Sequence, residues 1–491
     1  MSKSVVEGLS PINLWKRFFE ISQIPRQSKN EERIRLYLRN FGGQNNFDMK
    51  EDAVGNIVIL VPAKHGFENA KTVVLQSHVD MVCEKNKDTK HDFTNDPIKL
   101  LREGEWIKAD GTTLGADNGI GVAAALAVSQ DDDFIHGPLE LLFTVDEETG
   151  LTGANNLKKD FITGKMLLNL DTEEDGAFYV GCAGGMDSLG IFNIEYEEPK
   201  KGYIPFSLFI SGLKGGHSGI NISDGRANAI KILGLLISML EKYDYQLAYI
   251  NGGSKRNAIP REAEAVIFLS PENDAVVREL INAYTLETVL EFRLRDDSIK
   301  INFERDDVAV KAYSKVFTKQ FSTNVINAIL GMPHGVIAMS ADIQGLVATS
   351  TNLATVVLEG ETLRIGTSQR SSIDSAKKNI AKSVKAVFDL AGAEVIVGDG
   401  YPGWQPNMDS ELLMISKNVF SELFSKEPEL KAVHAGLECG ILGDKYPGLQ
   451  MVSFGPTIEG AHSPDEKVKI ADVDKFYRLL KNILTEIANS K

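Results

Sequence analysis

Apolar positions along the chain fall into two alternating textures, helical stripes and short unbroken runs. After Ser10 and Pro11, the spacing of Leu14, Trp15, Phe18 and Ile21 predicts a capped amphipathic helix. Ser28 and Glu31 form a capping-box pattern ahead of a second helix carrying Ile34, Leu36 and Leu38. Apolar runs then predict strands at 56–61, 72–77, 139–145 and 166–170, with a helix at 119–129 between the second and third. Apolar strands alternating with helices predict an α/β layer with a largely parallel sheet.

From 186 to 399 the texture changes. Strand signals at 205–211, 245–251, 263–269 and 298–304 surround helical signals at 226–242 and 272–291. The same order then recurs, with strands at 308–314, 346–357, 362–369 and 394–397 around helices at 322–330 and 374–391. Two passes of βαββαβ predict an internal duplication. The last stretch returns to α/β, with a helix at 409–424, a strand at 450–455 and a final helix at 472–488. The expected layout is one α/β domain built from 1–185 and 400–491, with an α+β lid domain, 186–399, inserted in it.

A chain of 491 residues exceeds what one core usually serves, so length alone predicts two or three domains. A net charge of −15 argues against nucleic acid or anionic membrane as partner. Three cysteines, Cys83, Cys182 and Cys439, show no paired spacing and suit a reducing compartment. With no signal-peptide pattern at the start and no apolar run of membrane length, the expected location is the cytoplasm.

Candidate chemistry sits at one structural address. His78 follows the strand at 72–77, Glu147 and Glu148 follow that at 139–145, and Asp171 follows that at 166–170. His462 lies in the loop after 450–455, and Asp117 in the Gly-rich turn LGADNGIG just before a helix. In open α/β sheets, ligands collect outside the carboxyl ends of the strands. Histidines and carboxylates without cysteine suit zinc or manganese, and one bridging carboxylate would let two ions sit about 3.5–4 Å apart. One carboxylate must stay off the metals to move the proton of the attacking water, and the adjacent Glu147 and Glu148 can supply one of each role. Asp80, two residues past His78, points to the same side and can orient the imidazole.

SHVDMV at 77–82, TLGADNGIG at 113–121, DEETG at 146–150, NLDTEED at 169–175 and GGHSG at 215–219 resemble the dizinc exopeptidase family that includes carboxypeptidase G, peptidase T and carnosinase. NAIP at 257–260 and AHSPDE at 461–466 fit as well, and HAGLECGIL at 434–442 with GYPGWQPN at 400–407 points to dipeptidases within it. The resemblance runs over nearly the whole chain. It implies two divalent ions, zinc foremost with cobalt or manganese as alternatives, and hydrolysis of short peptides with free ends, Xaa-His dipeptides such as carnosine included. His78 and Asp171 would bind one ion, Glu148 and His462 the other, and Asp117 both. Glu147 would be the general base and Asp80 the orienting acid. A non-proline cis peptide is implied between Asp117 and Asn118. His217 would contact the tetrahedral intermediate, Asn257 and Arg370 would bind substrate, Arg370 at its carboxylate, and Glu438 would take its ammonium.

Plainer readings stand beside these. Paired glutamates often open a solvated helix, a Gly-rich turn can bind an anion, His217 can cap a turn, and Arg370 can be a surface arginine. Cys83 reads as an inert thiol, and His65, His91, His136 and His334 as structural or surface residues. His434 has no assigned role. A scaffold that lost its activity is disfavoured because every ligand and the base are present. A tripeptide aminopeptidase or N-acyl-amino-acid deacylase remains the alternative. The oligomeric state stays open between a monomer, in which the second lid copy replaces a dimer contact, and a homodimer.

Overall fold

The computed structural model describes residues 3–306 and 308–490. They form two compact units, one holding the chain through Cys182, Trp404–Ala432 and the described residues from Leu437 on, the other Ala183–Gly403 and Val433–Gly436. Among the described residues, no helix is long and apolar enough to cross a membrane.

The first unit is a sheet covered by helices. Its strands run in the order Asp48–Glu51, Ile57–Val61, Leu139–Thr144, Val73–His78, Met166–Asn169, Gln450–Ser453, Ala177–Cys182 and Glu429–Val433. The central four are mutually parallel, and antiparallel strands flank them. Val73–His78 and Leu139–Thr144 are buried at every position, as expected for strands covered on both faces. Helix Ala116–Val128, rich in alanine, packs against Val73–His78 and against Ile12–Ser22, whose Leu14, Trp15, Phe18 and Ile21 are all buried.

Two local expectations near the N-terminus need correction. Ser28 caps no helix: its hydroxyl donates to Asp80 Oδ2 at 2.8 Å. Glu31 accepts from the backbone N–H groups of Lys29 and Asp146 instead of closing a box. Leu36, expected with the apolar residues, is 50% exposed, because Ile34, Leu38 and Phe41 make the buried face of helix Glu32–Gln44.

The second unit contains the duplication, nested rather than in tandem. One copy is strand Ile204–Ser211, helix Ala229–Met239, strands Gln246–Gly252 and Ala263–Leu269, helix Asp274–Phe292 and strand Lys300–Arg305. The strand expected at 308–314 to open the other copy is absent, and a short helix, Ala309–Ala312, lies there. That place is filled from upstream by Gly184–Asn193, followed in the second copy by helix Lys319–Gly331, strands Val347–Glu359 and Thr362–Ser371, helix Asp374–Leu390 and strand Glu394–Val397. In each copy the fourth strand pairs with the first, the first with the third, and the third with the second. The copies join edge to edge where Gly252 meets Val356. Apolar residues such as Leu233, Val325, Ile329, Val384 and Phe388 of three helices fill one continuous core against this sheet.

Candidate metal centre and substrate residues

The four parallel strands end in a row, and each delivers a polar residue. His78 ends its strand in register with Thr144, so Glu147 and Glu148 emerge beside it. Asp171 follows Met166–Asn169, and the chain leaving Gln450–Ser453 reaches His462. Asp117 stands between the two histidines. Its Oδ1 lies 2.9 Å from His78 Nε2 and its Oδ2 lies 3.1 Å from His462 Nε2. Asp171 Oδ1 is 3.3 Å from the His78 ring, and Glu148 Oε2 is 3.0 Å from the His462 ring.

Two donor sets result, His78–Asp117–Asp171 and Asp117–Glu148–His462, with the ligand atoms of each within 4.8 Å of one another. They share Asp117, whose peptide bond to Asn118 is cis. Asn118 in turn donates to Asp171 Oδ1 and to the Leu170 carbonyl. Glu148 Oε1 is buried without a hydrogen-bond partner. Oxygen and nitrogen donors, a shared carboxylate and an orphaned buried oxygen fit a pair of divalent cations.

Asp80 is fully buried and supports two of these elements at once. Its Oδ1 lies 3.4 Å from His78 Nδ1, an electrostatic contact longer than a hydrogen bond. Its two oxygens also accept from the backbone N–H groups of Glu147 and Glu148 at 3.1 and 3.2 Å. Burial pushes the Asp80 carboxyl up, but the His78 imidazole and these donors outweigh it and bring the pKa to about 2. Glu147 lies within 4.8 Å of His78 and Glu148. Burial, then the charges of Asp171, Glu438 and Glu148, push its carboxyl well above the usual range.

Glu438 belongs with this group and is 1% exposed. Gln76 and Thr144 both donate to its Oε2, at 2.6 and 2.8 Å, while Oε1 has no partner. Burial raises it to about 7. From Gln76 the hydrogen bonds continue through Asn169 and Ser453 to Thr172, a buried polar row across the strand ends. The polar residues closing the apolar strands TVVLQS and MLLNL were its trace in the sequence. The cysteines are free, and burial pushes Cys83 and Cys182 up to about 11, which keeps these two thiols inert.

The second unit gathers His217, Arg370 and His434. His217 Nδ1 accepts from the N–H groups of Gly219 and Ile220 at 3.2 and 3.1 Å, so its proton sits on Nε2. Burial and the Arg370 charge lower its pKa to about 4. Arg370 is 6% exposed, donates from Nε to Ser218 Oγ at 3.3 Å and from Nη1 to the Tyr401 hydroxyl at 2.9 Å. Among the described residues, no carboxylate pairs with it. His434, 7% exposed, lies 2.7 Å from Ser350 Oγ. Its carbonyl packs so closely on Gly219 that a Cβ there would sit 2.0 Å from it, which fixes glycine beside the His217 loop. Asn257 is exposed, and its carbonyl accepts from the N–H of Ser218 at 2.9 Å.

The family model described as Peptidase family M20/M25/M40 matches residues 74–486. The chain is 42% identical over 486 residues to the cytosol non-specific dipeptidase of Escherichia coli (strain K12), covering 99% of both chains. It superposes on the aminoacylhistidine dipeptidase of Vibrio alginolyticus with a TM-score of 0.91 at 42% identity, covering 98% of each. It shares its fold with the aminopeptidase PepT of Bacillus cereus, at a TM-score of 0.58, 18% identity and coverage of 98% and 100%.

Proposed function

This chain belongs to peptidase family M20/M25/M40 and is a metallopeptidase, and we propose that it hydrolyses dipeptides with free termini, Xaa-His dipeptides such as carnosine among them. The observation that carries this reading is the sharing of Asp117 by two donor sets, each completed by one imidazole and one further carboxylate. His78 and Asp171 would hold one divalent ion, Glu148 and His462 the other, and Asp117 would serve both. Zinc leads the candidates, with cobalt and manganese accepted by the same donors. Bound there, the ions supply Lewis acidity and a water acidified toward neutral pH.

Glu147 takes the proton of the attacking water and passes it to the leaving nitrogen. Asp80 keeps the His78 ring and the backbone of Glu147 in place. His217, neutral with its proton on Nε2, donates to the substrate oxygen that gains charge. Arg370 binds the free carboxylate, Asn257 contacts the substrate beside it, and the unpartnered Oε1 of Glu438 receives the ammonium. The cytoplasm is the proposed location.

The test is turnover of a free dipeptide, a tripeptide, an N-acetylated dipeptide and an amidated dipeptide, each with zinc, cobalt or manganese. The free dipeptide should be cleaved fastest by at least a hundredfold. Equal turnover of the N-acetyl compound would replace this reading with a deacylase, and equal turnover of the tripeptide with a tripeptide aminopeptidase.

A further inference from the structure

The Gly-rich turn before Asp117 has the form of an anion-binding nest, and its anion comes from the chain itself. Four consecutive backbone N–H groups converge on the Glu466 carboxylate. Leu114 and Gly115 donate to Oε2 at 2.7 and 2.8 Å, and Ala116 and Asp117 donate to Oε1 at 2.7 and 3.2 Å. Glu466 is buried and lies four residues after His462, in the same loop. One side chain therefore ties the loop of one histidine to the turn of the shared aspartate.

Arg26 grips the same turn through its carbonyl. Its guanidinium, also buried, donates to the carbonyls of Val79 and Asp80 at 2.9 and 2.6 Å and to that of Gly115. Val79 and Asp80 directly follow His78. Gly115 thus gives its N–H to Glu466 and its carbonyl to Arg26. It holds a left-handed φ of 69°, and a Cβ there would lie 2.5 Å from the guanidinium. A larger residue fits neither the backbone nor the space.

We propose that Arg26 and Glu466 are positioning residues that set His78, Asp117 and His462 in register for two metal ions without touching either ion. This rests on the two-metal reading above. Neither residue carries a donor to the ligand side chains. Their hydrogen bonds fix the backbone from which those side chains project. Because Asp117 serves both donor sets, loosening its turn weakens both ions together, unlike loss of a terminal ligand.

The test uses the full-length zinc-loaded enzyme and the variants Glu466→Gln, Glu466→Asp and Arg26→Lys, each checked for folding by circular dichroism. Glu466→Gln keeps the shape but turns an NH₂ toward two of the four N–H donors. Arg26→Lys keeps the charge but loses the fork that reaches three carbonyls. Zinc affinity is read by competition with a chromophoric chelator, and thermal midpoints are measured with and without excess chelator. Expected are zinc affinities lowered about 10–100-fold for both ions in Glu466→Gln and Arg26→Lys. Saturating zinc should recover most of kcat, and Glu466→Asp should fall between. Folded variants with wild-type zinc affinity and only a lower midpoint in chelator would show a purely structural role and overturn the proposal. A wild-type enzyme that binds fewer than two zinc ions would overturn the two-metal reading itself, and this proposal with it.

Discussion

Removing the Arg370 guanidinium should erase the enzyme's preference for a free carboxylate. The side chain is 6% exposed, and it donates to two neutral hydroxyls, those of Ser218 and Tyr401. No carboxylate of the described chain satisfies it, so a carboxylate from the substrate is its natural counter-charge. A hydrogen bond to a charged group contributes about 1.5–3 kcal/mol, and a planar guanidinium can form two with one carboxylate. Taking about 3 kcal/mol for the pair, at 1.4 kcal/mol per decade, gives a loss of about 100-fold in kcat/KM for the free dipeptide in Arg370→Ala. The amidated dipeptide offers no such charge and already leaves the arginine unpaired in the wild type. Its kcat/KM should therefore change by less than about 5-fold. The acid-to-amide ratio should collapse accordingly, and Arg370→Lys, a point charge without the fork, should restore only part of it. The assay is kcat/KM for both substrates in all three proteins. A ratio that survives in Arg370→Ala would remove this residue from the carboxylate site and refute the argument.

Other outcomes follow from the same geometry. Glu147→Gln should keep both metal ions and lose about 10²–10⁴ in kcat, whereas Glu148→Gln should lose metal; elemental analysis showing the reverse would exchange their roles. Asp117→Ala should lose both ions together, while His78→Ala and His462→Ala each weaken mainly one; two ions retained in Asp117→Ala would end its bridging assignment. His434 is held neutral by burial and by Arg370, with its pKa pushed down to about 4 from the ordinary 6.5. The unfolded chain binds this proton first, so the contribution is complete above pH 6.5 and is lost as pH falls from 6.5 toward 4. Urea unfolding of His434→Gln should show a pH slope in that window shallower by up to about 1.4 kcal/mol per unit, and an unchanged slope would mean His434 is already charged.

What the sequence made legible, and what it hid, divides along physical lines. His78, Glu147, Glu148 and Asp171 each follow an apolar run, and in a parallel sheet that pattern alone places them at one edge. Residues that act through the backbone left no such mark. Arg26 lies in the loop IPRQSK, outside any periodic stripe, and reaches Gly115 across 89 positions. Ser28 and Glu31 matched a local helix-start pattern, yet Ser28 gives its hydroxyl to Asp80, and Glu31 accepts from distant Asp146 as well as from Lys29. A short-range rule cannot see that competition.

The nested duplication was hidden for a related reason. The run VAVKAYS alternates well enough to suggest a strand, but the place of a first strand in the second copy is already taken. Gly184–Asn193 already occupies that place, between Thr362–Ser371 on one side and Glu394–Val397 on the other. Pairing Gly184 with Ser371 closes a loop that contains the entire first copy. Closure entropy grows only slowly with loop length, so inserting a whole domain there adds little cost. The insertion also has a consequence for chemistry. Because the second copy opens upstream of the first, its boundary strand meets the returning chain at Tyr401, where Gly185 and Tyr401 exchange backbone hydrogen bonds. Tyr401 is the residue whose hydroxyl receives Arg370. The nested arrangement thus brings the carboxylate candidate of one strand and the hydroxyl that steadies it together within the second unit, beside the first strand of its second copy.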